Sequence, residues 1–195
     1  MGSLPETALD QLFREARTRN DWEEAALPPG TAEALYDLVK MGPTSANCSP
    51  ARFLFCESRE ARDRLAGLAS GSNGAKIRQA PLTVIIGMDM EFHEKLPMLF
   101  PHTDARSWFA GNPDLIASTA FRNSSLQGAY LIMAARALGF DCGPMSGFDK
   151  AAVDAAFWAG TRVETNFLCS IGHGTAKNLF PRSPRLGFDE ACTIL

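Results

Sequence analysis

Gly42 to Phe53, GPTSANCSPARF, is the stretch on which the reading of this chain turns, because it presses small polar groups into a stiffened connection between two regular elements. Pro43 and Pro50 restrict the backbone, while Thr44, Ser45, Asn47 and Ser49 offer hydroxyl and amide groups with little bulk. Upstream, Leu35, Leu38 and Val39 share one face of a helix expected over Thr31–Met41; downstream, Arg52–Cys56 reads as a strand. A helix end passing through a polar loop into a strand is a common place for a flat polar ligand. Taken by itself, the stretch is equally a plain polar connection.

The rest of the sequence sets bounds around that loop. With 195 residues, 46% of them hydrophobic, and no break in composition, the chain is expected to form one α+β domain over 1–195. The net charge is −3, from 22 acidic and 19 basic residues without a run of like charge, which argues against general affinity for nucleic acid or anionic membrane. Cys48, Cys56, Cys142, Cys169 and Cys192 form no C-x-x-C pair and are odd in number, so neither a disulfide framework nor a metal site is expected. That usage, with no signal peptide and no apolar run of membrane length, points to a cytoplasmic protein. Cys48 reads as a packing residue, with a reactive thiol as the alternative.

Ser3 and Glu6 have capping-box spacing, and Leu9, Leu12, Phe13 and Ala16 continue a first helix to about Arg17. Pro28-Pro29-Gly30 breaks the chain, Arg59–Ala69 reads as a short helix, and LTVIIGM (Leu82–Met88) as a central strand. Residues 91–112, punctuated by Pro97, Pro101 and Gly111, have the character of a lid. A long helix is expected over Asp114–Gly139, with Leu126, Tyr130, Met133, Ala134 and Ala137 as its apolar stripe. Asn166–Ile171 reads as a last strand, and residues 177–195 as a C-terminal arm with Arg182 and Arg185. Gly172-His173-Gly174 has Lys177 where a dinucleotide fingerprint needs its third glycine, and Gly71-Ser72-Asn73-Gly74 lacks the end of a phosphate loop. A nicotinamide donor would therefore have to stack on something already bound.

Four stretches, in order, resemble the FMN-dependent nitroreductase family. Pro43, Ser45, Asn47, Pro50 and Phe53 fit its P-S-x-x-N-x-Q-P-W-x-F element, with Ser49 and Ala51 standing where Gln and Trp are frequent. Arg17-Thr18-Arg19-Asn20 is similar to its R-S-x-R clamp, with Asn20 in place of the second arginine. Asn73 and Lys76 precede Ala80-Pro81 and the central strand, and Ala137-Leu138-Gly139 runs into Gly143-Pro144-Met145-Ser146-Gly147-Phe148-Asp149. Within the family the strings GPTSANCSPAR, LFPHTDARSWF, TAFRNSSLQ and GPMSGFD resemble the malonic semialdehyde reductase branch of uracil (pyrimidine) degradation.

The resemblance implies a mainly antiparallel central sheet flanked by helices, in an obligate homodimer with FMN at the interface and NADH or NADPH as hydride donor. It places Arg17, Thr18 and Arg19, with Arg182 or Arg185, at the FMN phosphate. Pro43, Thr44, Ser45 and Asn47 would reach the flavin from one subunit, and Asn73 and Lys76 its pyrimidine or ribityl side. The turn Pro144, Met145, Ser146 and Gly147 would present N–H groups near N5. In the lid, Arg106, or Arg122 on the long helix, would hold a substrate carboxylate, with His102 as a proton donor. Asn123 and Gln127 would line the pocket or meet the partner, and Ala129, Ala134 and Ala135 would lie toward the interface. The first reading is reduction of malonic semialdehyde to 3-hydroxypropionate; a general nitro or quinone reductase and a non-catalytic flavin-binding protein are the alternatives.

Overall fold

The computed structural model describes residues 2–195. Four strands, β1 (Ala51–Cys56), β2 (Leu82–Asp89), β3 (Asp141–Met145) and β4 (Val163–Gly172), form one sheet in the order β1-β2-β4-β3, and every neighbouring pair is antiparallel. Helices cover both faces, which explains why LTVIIGM is apolar throughout: both sides of β2 are core. Leu82, Val84 and Ile86 point to one layer with α2 (Thr31–Val39) and α6 (Pro113–Ala137). Ile85 points the other way, to α3 (Arg59–Ala66), α4 (Asn73–Gln79) and α7 (Lys150–Phe157). Thr83, also on β2, is fully buried and shares a hydroxyl hydrogen bond of 2.8 Å with Ser170 across the ladder.

α6 is the spine. Its 25 residues span about 37 Å at 1.5 Å per residue. Asn112 caps its first turn, accepting from the Leu115 N–H at 3.1 Å, and Pro113 starts it where no N–H is needed. The face it buries is Ala120, Asn123, Ser124, Gln127, Gly128, Leu131, Ala134 and Ala135, at helical spacing but largely small and polar. The expected apolar stripe is therefore displaced: Leu126 faces out, and Gly128 faces in. Close approach to the sheet is the reason, since a Cβ on Gly128 would fall 2.4 Å from the Phe167 ring.

Other differences are local. The Ser3 capping box does not form; Pro5 occupies the N-cap without a side-chain bond, and α1 (Glu6–Leu9) widens into a looser turn, Asp10–Arg14, ending three residues before Arg17. β3 takes in Gly143 and Pro144, which read as turn residues from sequence; an edge strand tolerates proline because that side needs no ladder donor. The stretch around Asn73, which reads as a surface turn, is α4. Residues 91–112 hold α5 (Leu96–Leu99) and two single helical turns, Phe92–Lys95 and Ala105–Trp108, around a third small core of Phe92, Leu96, Ala105 and Phe109. α8 (Phe188–Ala191) lies in the C-terminal arm. Among the described residues no helix is long and apolar enough to cross a membrane.

Leu131 is fully buried between α6 and the sheet. Leu131→Ala is expected to lower unfolding free energy by about 2–5 kcal/mol in urea titration with an unchanged m-value.

Candidate functional site

The 42–53 loop is strained and held. Ala46, Asn47 and Ser49 have φ of 48°, 50° and 37°, left-handed values that cost L-residues about 1–3 kcal/mol each and persist only where surroundings enforce them. α6 does the enforcing, through side chains at i, i+4 and i+7. Asn123 Oδ1 accepts from the Ser45 N–H at 2.8 Å, Gln127 Oε1 from the Ala51 N–H at 2.9 Å, and the Tyr130 hydroxyl donates to the Pro43 carbonyl at 2.8 Å. Asn123 is itself oriented by its Nδ2, which donates to Thr119 O at 2.9 Å. A Cβ on Gly42 would sit 2.1 Å from the Tyr130 ring, so glycine is required for this approach. Asn123 and Gln127 thus hold the loop from the core, both buried, instead of lining a pocket or meeting a partner as expected.

The result is an alternation. Pro43, Ser45 and Asn47 are exposed, while Thr44 turns in and its Oγ1 accepts from the Ser49 N–H at 3.1 Å. Asn47 Nδ2 donates to Leu99 O at 2.9 Å and ties the loop to the lid. Cys48 is buried, and burial pushes its thiol up to about 11, so it is a packing residue with no usable thiolate near neutral pH.

A second group forms where β3 leaves the sheet. The Gly147 carbonyl accepts from Asn73 Nδ2 and from the Ser70 N–H, both at 3.0 Å, which joins the turn to the start of α4. A Cβ on Gly147 would lie 2.7 Å from Asn73 Nδ2. The N–H groups of Ser146 and Gly147 find no acceptor among the described residues. Lys76, one turn beyond Asn73, is half-buried and makes no ion pair there. β3 thus brings Pro144, Met145, Ser146 and Gly147 to Asn73.

The third group is cationic. A cleft of about 360 Å³ is lined by Arg17, Thr18, Asn20, Arg136, Arg182 and Arg185, and no carboxylate lines it. Arg17 donates to the Phe180 carbonyl, and Arg182 to the carbonyls of Arg14 and Ala16 at the end of the first helical segment, fastening the arm there. Asn20, standing where the related clamp has arginine, donates to Asn178 O at 3.3 Å. Arg19 does not join them. Its Nε lies 3.2 Å from Asp141 Oδ1, its Nη1 donates to Thr175 O at 3.0 Å, and its stem packs on Gly174. Arg19, expected at the phosphate, lies outside the cleft with its guanidinium beside Asp141. Arg136 was not foreseen; its place depends on how α6 meets the first segment.

Thr18 bridges to Cys142, and the Arg19 N–H donates to Cys142 O at 2.9 Å, so the cleft begins beside the first half of β3. Ser146 lies four positions beyond Cys142, just past the end of β3, so the cleft and the N–H turn stand about 13 Å apart along that edge strand. The 42–53 loop lies elsewhere: it precedes β1 and is held by α6, whereas the turn follows β3 and is held by α4. β1 and β3 are opposite edges of the sheet, three strand spacings or about 14 Å apart.

In the lid, Arg106 is engaged: Nε and Nη2 each donate to a Glu94 carboxylate oxygen at 2.7 Å. His102 is exposed, edge-on to Phe100 at 5.2 Å between ring centres. Arg122 is exposed on the outer face of α6 beside Phe121 and Leu126, away from Arg106 and its turn.

The Nitroreductase family profile matches residues 5–173, and the chain belongs to that family. It is 61% identical over 194 residues to a Burkholderia lata protein provisionally named NADH dehydrogenase/NAD(P)H nitroreductase, with both chains covered in full. A Stenotrophomonas maltophilia protein of the same provisional name is 58% identical over 98% of each chain. The fold matches a nitroreductase-type protein from Exiguobacterium sibiricum solved in complex with FMN, with a TM-score of 0.85 at 18% identity, covering 100% of this chain and 99% of that one. A nitroreductase family protein from Streptococcus pneumoniae gives a TM-score of 0.83 at 20% identity over 96% of this chain and 100% of that one.

Asn123→Ala is expected to cost about 1–3 kcal/mol, because the Ser45 N–H loses its acceptor, and to speed hydrogen exchange at the Ser45 amide while the amides of β2 stay protected. Asn123→Asp, which keeps an acceptor, should exchange more slowly than the alanine variant. For the thiols, only Cys192 is exposed, so of five cysteines one should react with an aromatic disulfide reagent at pH 8 before denaturation. Cys48 and Cys56 are both raised by burial from about 9 to about 11. Their neutral forms are favoured by the fold, so that contribution to stability is complete below about pH 9 and lost as pH rises toward 11. Thermal melts across that range should show the fall.

Proposed function

We propose that the protein is an FMN-dependent NAD(P)H oxidoreductase that reduces uncharged acceptors of the nitroaromatic or quinone kind. The observation that carries this reading is the cleft of four arginines with no carboxylate beside one half of β3, with unused N–H groups at the strand's other end. The family and the names of the relatives support it. Bound there, FMN would supply the redox chemistry between NAD(P)H and the acceptor, and the chain's own residues would hold and orient it. Arg17 and Arg185, with the Thr18 hydroxyl, bind the phosphate; Arg182 holds the arm over it. Asn73 fixes the Gly147 carbonyl, so the Ser146 and Gly147 N–H groups would be free to donate to the flavin. Lys76, one turn further along α4, would add a positive charge beside it. With no dinucleotide fingerprint, either NADH or NADPH would stack on the ring.

The loop carrying Pro43, Ser45 and Asn47 sits at the far edge of the sheet, so in this reading it completes the site of a second copy. A homodimer also covers what one chain leaves bare: Phe121 and Leu126 on α6, and Phe180 and Phe188 in the arm, are 41–75% exposed. Malonic semialdehyde is the narrower reading. The names of the relatives do not support it, and its expected anchor, Arg106, is already paired with Glu94, so the general reductase is preferred.

Purified protein should be yellow, bleach with NADH or NADPH, and turn over menadione. A yellow protein that the donors cannot bleach would be a flavin-binding protein without catalysis. Arg17→Glu places like charge at the phosphate and should release flavin with the circular dichroism unchanged; retained flavin would remove Arg17 from the clamp. Light scattering of holoprotein should give about twice the 21.1 kDa chain mass, and a stable yellow monomer would refute the shared site.

A further inference from the structure

Glu94 and Arg106 make the one bidentate ion pair within residues 91–112, with both guanidinium-to-carboxylate contacts at 2.7 Å. Glu94 Oε1 also lies 3.4 Å from Nε2 of the buried His93. Both partners are about half exposed, at 46% and 45%, and a pair this accessible contributes little to folding. Their platform is rigid, however. Phe92, Leu96, Ala105 and Phe109 pack with Cys48 and Ala46 of the 42–53 loop, and Leu99 O accepts from Asn47. The pair is thus carried on the same unit as Ser45 and Asn47. Arg106 draws the Glu94 carboxyl below its ordinary range, so Glu94 is ionised throughout neutral pH. Around the pair, Met98 and Trp108 leave apolar surface open.

We propose that Glu94 sets acceptor selectivity: by occupying both arms of the Arg106 fork it withholds that guanidinium from substrate carboxylates, and so favours uncharged quinones and nitroaromatics over short oxo-acids. A carboxylate-bearing acceptor must compete with Glu94 for the Arg106 fork and lie beside the Glu94 charge, a modest penalty at this exposure that an uncharged acceptor does not meet. The inference rests on the functional reading above and deepens it.

The test uses FMN-loaded wild type, Glu94→Gln, Arg106→Ala and the double variant, with malonic semialdehyde as the short oxo-acid and menadione as the uncharged acceptor. Glutamine keeps the size and one acceptor but loses the charge, so the ratio of kcat/KM for oxo-acid to that for menadione should rise about threefold or more, mainly through KM. Arg106→Ala alone should not raise the ratio, because it removes the masked guanidinium and leaves the Glu94 charge bare. The double variant should lose the gain. An unchanged ratio, or no oxo-acid turnover, in Glu94→Gln overturns the proposal. So does a rise of the ratio in Arg106→Ala alone, a measurement that stands even where Glu94→Gln fails to fold. Wild type that neither bleaches nor reduces menadione would overturn the functional reading itself, whereas bleaching with an unchanged ratio overturns the role of Glu94 alone.

Discussion

The 42–53 loop keeps its shape because two buried amide side chains and one phenol on α6 satisfy backbone groups that no strand or helix reaches. Asn123, Gln127 and Tyr130 take up the Ser45 and Ala51 N–H groups and the Pro43 carbonyl, all at 2.8–2.9 Å. Without them, three left-handed non-glycine residues would relax, and the loop's exposed groups would lose their common direction. The same demand explains the unusual inner face of α6. A helix that must offer amides to a loop and lie close to a sheet has room on that face for a single leucine, Leu131, and small residues take most of the remaining places.

Charge is treated in two opposite ways. In the cleft, four arginines converge and use main-chain carbonyls as partners, which fixes the groups without cancelling their charge. In the lid, Arg106 meets a carboxylate with both arms, and its charge is locally cancelled. Arg19 belongs with the second kind, through Asp141. Arginines of one sequence type are thus sorted by their partners into groups able to bind an anion and groups that hold structure. The sorting follows from which backbone or side-chain acceptor lies within reach.

One chain keeps the parts of the proposed site apart. The arginine cleft and the N–H turn flank β3, and the polar loop precedes β1 at the other edge. No rotation of side chains spans three strands. The division gives the shared site of the proposed dimer its physical basis, and apolar side chains left open on α6 and the arm agree with it.

By itself the sequence determined the central strand, the long helix, the polar loop and the family, because these are written in local signals: an unbroken apolar run, proline and glycine at fixed offsets, and ordered strings of small polar residues. It did not disclose β3, whose Gly143 and Pro144 imitate a turn and become strand only beside β4, nor α4, whose short NGAKIRQ has no apolar period of its own. It also did not show which partners Arg19, Asn123 and Glu94 would meet. Only the tertiary structure decided these, since the role of a polar or charged side chain depends on the partner that meets it, and those partners lie 12 residues away for Arg106, 78 for Asn123 and 156 for Arg19.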